Sequence, residues 1–187
     1  MLKAGFAGCQ HLITSEWWLY ALEGCQLLVT SILGNPLAPS FNVYDYTKKC
    51  DNPPLCYDFS ATDKFLNLDK VRAALGVSGR EWVNCNMEVH TALLGDWVTN
   101  MASKVSAILE KGLEVLVYSG DRDFICNWRG GEAWTAAVEW SGQAAFNANA
   151  YKDWAVNGKA AGQLKGHNNF KFLRVYEAGH MVPMDQP

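Results

Sequence analysis

Residues 113–119 constrain the fold more than any other stretch of this chain. The short run carries Val115, Leu116, Val117 and Tyr118 and reads as a strand buried on both faces. A helical pattern leads directly into it: from Asp96 onward, Val98, Met101, Val105, Ile108 and Leu109 recur at helical spacing, and Lys111 with Gly112 supplies a stop. A polar loop ends the strand. A second helical stretch over about 132–140 and a second strand over 170–176 follow, the latter interrupted by Lys171 and Arg174, and residues 177–183 form another loop. Helix, strand, loop, helix, strand, loop is the order of an open α/β sheet, in which functional sites gather beyond the carboxyl ends of the strands. Asp121, Asp123 and His180 all fall there.

Upstream, residues 10–29 have helical character, while 35–40 and 51–54 read as loops. Thr62 and Asp63 are placed to cap a helix running through Phe65, Leu66, Val71 and Leu75, with Gly76 as its stop. Eight Trp, seven Tyr and eight Phe are the rings of a core or a pocket lining, which favours an enzyme or a binding protein over a filament. A net charge of -3 provides no basic field for phosphates, so no nucleic-acid role is expected. The apolar run 27–33 is too short to span a membrane. Cys9, His11, Glu16 and the adjacent Trp17 and Trp18 stand where a secretory leader would need an uninterrupted apolar run, so no leader is expected within this chain.

The six cysteines contain no C-x-x-C pair, which argues against a zinc ribbon or a thioredoxin-type motif. Cys50 and Cys56 bracket Asp51, Asn52, Pro53 and Pro54, a turn-forming segment that predicts a small disulfide loop and hence an oxidising compartment. Six reduced thiols in a cytosolic protein are the alternative.

A neutral imidazole is a competent base near neutral pH, and a carboxylate on its other nitrogen fixes its tautomer and stabilises the imidazolium that forms. In α/β-hydrolases the chain order is nucleophile, acid, His, with the last two on loops after late strands. Asp123 and His180 occupy those two places.

The segment from Val115 through Ser119-Gly120-Asp121-Arg122-Asp123 to Trp128 resembles the serine carboxypeptidase sequence around the catalytic Asp, and Ala178-Gly179-His180-Met181-Val182-Pro183 is similar to that family's His motif. Asn42-Val43-Tyr44-Asp45, the Cys50 and Cys56 loop, Leu66-Asn67, Trp82, Cys85-Asn86 and Asp96-Trp97 extend the resemblance from about Phe41 onward, whereas the first forty residues match poorly. The resemblance, to the carboxypeptidase Y type, implies the C-terminal part of an α/β-hydrolase fold: residues 1–98 an insertion or cap region with its return to the core, residues 99–187 the last part of the core. It implies a peptidase that releases C-terminal residues through an acyl-enzyme, with Asp123 orienting His180, Cys126 and Met181 beside the substrate side chain, and neither metal nor cofactor. No G-x-S-x-G elbow is present; Gly76-Val77-Ser78-Gly79-Arg80 comes nearest and fails at Arg80. The nucleophile and oxyanion hole would come from an N-terminal half, the expected partner along with peptide C-termini. By the same resemblance Cys9 pairs with Cys25, Cys85 would bond the N-terminal half, and the location is the secretory pathway, vacuole, lysosome or exterior. A non-catalytic carboxypeptidase-like binding protein is the alternative.

Overall fold

The computed structural model describes residues 2–35, 39–53 and 55–187; the expected loop positions 36–38 and 54 lie outside them. The chain divides into two compact units, Met1–Ala38 with Cys50–Thr99, and Pro39–Lys49 with Asn100–Pro187.

The first unit is helical. The single helical stretch expected over 10–29 is two helices, α1 (Leu2–Thr14) and α2 (Trp18–Leu33), joined by the Cys9–Cys25 disulfide. Glu16 sits at φ +59° between them, a left-handed conformation that breaks a right-handed helix. No described helix is long and apolar enough to cross a membrane. The helix expected through Phe65 and Leu75 also divides, into α3 (Ser60–Leu66) and α4 (Asp69–Ala74). The N-cap position of α3 is Phe59, which offers no side-chain bond; Asp58 Oδ1 accepts the Ser60 N–H at 2.9 Å just ahead of it, and the expected caps Thr62 and Asp63 lie inside the helix. Asn67 occupies the break because its side chain is committed elsewhere: Nδ2 donates to the Trp82 carbonyl and Oδ1 accepts the Trp82 N–H, at 3.0 and 2.9 Å. Gly76 (φ +73°) ends α4 as the sequence predicts. A short helix, α5 (Met87–Ala92), is capped by Asn86, and Cys50 is bonded to Cys56.

The second unit holds the sheet. Asn100 accepts the Ala102 N–H just ahead of α6 (Ala102–Glu110), whose N-cap position is Met101, so Val98 and Met101 lie before this helix rather than on it. Then come β1 (Val115–Gly120), α7 (Trp128–Ala137), α8 (Gln143–Ala148), β2 (Lys152–Val156), β3 (Lys159–His167), β4 (Phe170–Val175) and α9 (Val182–Asp185). The strand order is β1-β4-β3-β2. β1 and β4 run parallel from Val115↔Phe170 to Gly120↔Val175, so both end at the same edge of the sheet. The β2–β3 hairpin and α8 are additions to the sequence reading. Asn157 and Gly158, both at positive φ, make the tight turn, and antiparallel β3–β4 pairing makes the sheet mixed.

Phe170 and Phe172 on one face of β4 join Leu109, Val138 and Phe146 in the core, with Val115 and Val117 of β1 against them. Leu173 and Val175 on the other face pack with Ala178 and Val182. Burial of β1 on both faces is corrected: Leu116 and Tyr118 remain 53% and 51% exposed. The strand lies at the sheet edge, and only its Val115 and Val117 face meets the aromatic core.

Candidate active site

The parallel ends of β1 and β4 bring two loops together. Gly120, the last residue of β1, lies so close to the loop after β4 that a Cβ there would overlap the carbonyl oxygens of Ala178 and Gly179. Backbone bonds knit the loops: Asp121 N–H donates to the Val175 carbonyl and Arg122 N–H to that of Ala178, both at 2.9 Å. Asp121 is a further staple, its Oδ1 accepting the Glu177 N–H at 2.9 Å and its Oδ2 facing Arg174 at 3.4 Å. Arg174 is in turn stacked over the Trp128 ring, 4.0 Å from its centroid.

Inside this frame Asp123 is buried, and both its oxygens are used. Oδ1 accepts the Cys126 N–H at 3.1 Å, and Oδ2 lies 2.9 Å from Nδ1 of His180. With a proton on Nδ1 the ring donates to the carboxylate. The His180 side chain is 38% exposed against 4% for Asp123, an arrangement in which a buried acceptor orients a ring that still reaches solvent. An imidazole held this way can exchange a proton through Nε2.

Cys126 is exposed and forms no disulfide, but protein around its thiol and then the Asp123 charge push its pKa up. Donor atoms of Asp123, Cys126 and His180 lie within 4.8 Å of one another, the residue types of a soft-metal site, yet Asp123 and His180 already engage each other. Met181, half-buried, precedes α9.

A third segment, seen in the sequence only as a motif match, holds both loops. The Val43 carbonyl accepts the N–H groups of Phe124 and Ile125 at 3.2 and 3.1 Å, the Tyr46 N–H donates to Arg122, and the His180 N–H donates to the Tyr44 carbonyl at 2.7 Å. The Tyr44 ring packs beside the imidazole, centroids 5.4 Å apart. Asn42 and Asp45, which shape this loop from within, are both buried.

A parallel strand pair whose carboxyl ends carry an Asp and a His in contact is the arrangement found near the end of an α/β-hydrolase chain. The comparisons with known proteins agree. The family model described as serine carboxypeptidase matches residues 15–187, beginning upstream of Phe41, where the motif matches stop. A serine carboxypeptidase-like protein of Pisum sativum is 45% identical over 169 residues, covering 90% of this chain and 58% of the relative. Carboxypeptidase Y of Komagataella phaffii is 47% identical over 149 residues, covering 78% and 28% respectively. The crystal structure of Kex1(delta)p, a prohormone-processing carboxypeptidase from Saccharomyces cerevisiae, superposes with a TM-score of 0.77 at 25% identity, covering 99% of this chain and 44% of that one. The chain belongs to the serine carboxypeptidase family, and it spans 58% or less of the length of these relatives. Its two disulfides, in place of the alternative of six reduced thiols, fit an oxidising, extracytoplasmic setting.

Proposed function

We propose that this chain supplies the acid and the base of a serine-type carboxypeptidase, with the nucleophilic Ser and the oxyanion hole contributed by an N-terminal half of the same enzyme. The observation that carries the reading is the 2.9 Å contact of His180 Nδ1 with the buried Asp123 carboxylate. His180 would take the Ser proton through Nε2 as the hydroxyl attacks the last peptide carbonyl, then return it to the departing amino acid. The acyl-enzyme is hydrolysed when the same nitrogen takes a proton from water. Asp123 holds the ring in the tautomer with Nδ1–H and stabilises the imidazolium. Cys126, which shares Asp123 with His180, and Met181, the next residue after His180, line the pocket for the substrate side chain, where polarisable sulfur suits varied apolar groups. The substrates are peptide or protein C-termini, and the working compartment is the vacuole or lysosome, or the exterior.

The test is release of C-terminal amino acids from a blocked dipeptide by the complete enzyme, by its His180→Ala and Asp123→Asn variants, and by this chain alone. The complete enzyme is active, Asp123→Asn loses about four orders of magnitude in kcat and His180→Ala about six, and the chain alone is silent because no acyl-enzyme can form without a nucleophile. Near-normal turnover by Asp123→Asn would refute the assignment, since a charge serving only as a surface ion pair is worth about 0–1 kcal/mol.

A further inference from the structure

The backbone that carries His180 is gripped at two successive amides. The N–H of His180 donates to the Tyr44 carbonyl at 2.7 Å, and that of Gly179 donates to Asp185 Oδ2 at 2.8 Å. The other oxygen of Asp185 meets Lys48 Nζ at 3.1 Å, and the same ammonium lies 3.1 Å from Asp45 Oδ2. Asp45 is the residue after Tyr44, and its Oδ1 accepts the Thr47 N–H and hydroxyl at 3.0 and 2.6 Å. The contacts therefore close a ring: Tyr44 grips His180, Asp185 grips Gly179, and Lys48 ties Asp185 back to the residue beside Tyr44. Gly179 fills the middle of it, and a Cβ there would fall on the Tyr44 carbonyl and within 3.0 Å of the Asp45 Cβ.

Exposed ion pairs contribute little because water competes for both partners, but these carboxylates are not exposed. The Asp45 and Asp185 side chains are 1% and 10% accessible, so each needs its counter-charge. Burial works against ionisation of Asp45, yet the hydrogen bonds from Thr47 and the paired Lys48 ammonium outweigh it and hold the carboxyl below the usual range. Lys48 is raised by its contact with Asp45 and then with Asp185.

We propose that the Asp45–Lys48–Asp185 bridge is a positioning device that fixes the His180 backbone and so sets the imidazole against Asp123. None of the three touches a reacting atom; they are positioning residues, and the inference rests on reading His180 as the base.

The test uses the complete enzyme with Lys48→Met, Lys48→Arg, Asp185→Ala and Asp185→Asn. Lys48→Met and Asp185→Ala lower kcat by about ten- to a hundredfold, as displacement of a reacting group by about 1 Å does, while KM stays within about twofold. Lys48→Arg recovers most of the rate. Asp185→Asn, which can still accept the Gly179 N–H but cannot pair with Lys48, falls between. Independently of turnover, the downfield proton resonance of the His180 ring N–H, assigned by its loss in His180→Ala, shifts or broadens in Lys48→Met. An unchanged resonance together with unchanged kcat in Lys48→Met and Asp185→Asn would overturn the proposal, even if both variants melt earlier. If Asp185→Ala does not fold, those two variants decide. A complete wild-type enzyme that hydrolyses no peptide would sink the carboxypeptidase reading instead, and the resonance would still decide the positioning claim.

Discussion

Replacing Gly120 by Ala adds one methyl group at the point where the ends of β1 and β4 meet. The methyl would coincide with the carbonyl oxygens of Ala178 and Gly179, which are backbone atoms and cannot turn aside as a side chain could. Relief requires the His180 loop to move away from β1, against the Asp121 and Arg122 bonds that hold it. Overpacking of this kind costs about 1–3 kcal/mol, and the absence of a yielding side chain puts Gly120→Ala near the upper figure. For a chain of this size about 3 kcal/mol lowers Tm by roughly 6–12 °C. The control is Gly79→Ala, where a Cβ meets nothing within 4 Å and the φ is ordinary; there the stiffer unfolded chain makes the substitution neutral or stabilising by up to about 1 kcal/mol. Thermal unfolding of the two variants beside the parent, followed by circular dichroism, reads the difference directly. If Gly120→Ala melts with Gly79→Ala, the close approach of the two loops is wrong, and the geometry derived from it fails as well.

In this chain alone, mapping of unreduced peptides finds Cys9 joined to Cys25 and Cys50 to Cys56, with Cys85 and Cys126 alkylated; a link from Cys50 to Cys126 would contradict both the loop and the pocket assignment. Because burial and the Asp123 charge raise its pKa, the Cys126 thiolate fraction at a given pH is reduced, so it alkylates more slowly than a free thiol of ordinary pKa near pH 8; equal rates would refute that environment. The lowered Asp45 pKa makes a contribution to stability that is complete above the ordinary carboxylate value of about 4 and is lost as the pH falls through the depressed value. In urea unfolding, Asp45→Asn is therefore less stable than the parent by a constant amount from about pH 7 to 5, and the gap closes toward about pH 2; a gap that persists there would show that charge is not the cause.

What could be read from the residues was local and periodic. The apolar runs of β1 and β4, each ending in a polar loop, are enough to place Asp123 and His180 at one edge of a sheet. The β2–β3 hairpin was equally available in principle, since Asn157-Gly158 is a strong turn signal. It was hidden by Lys159–His167, a strand of Lys, Ala, Gly, Gln, Leu and His with no β-branched residue. The break at Glu16 carries no Gly or Pro to announce it, and the division at Asn67 depends on Trp82, fifteen positions away. The hold of residues 42–48 on both site loops was beyond reach for a different reason. Its bonds to Arg122, Phe124, Ile125 and His180 run mostly through main-chain groups, which every sequence has in equal measure.

Because Pro39–Lys49 belongs to the unit completed by Asn100–Pro187, while Met1–Ala38 and Cys50–Thr99 form the other, the chain passes between the two units three times. Closing a longer connection costs little, about 0.6 kcal/mol for each doubling of its length. The stretch between residues 49 and 100 can therefore change length at small cost, while the clasp on His180 draws on Tyr44, Asp45, Lys48 and Asp185, all within the second unit. Grafting experiments therefore have three seams at which to cut, at 38/39, 49/50 and 99/100.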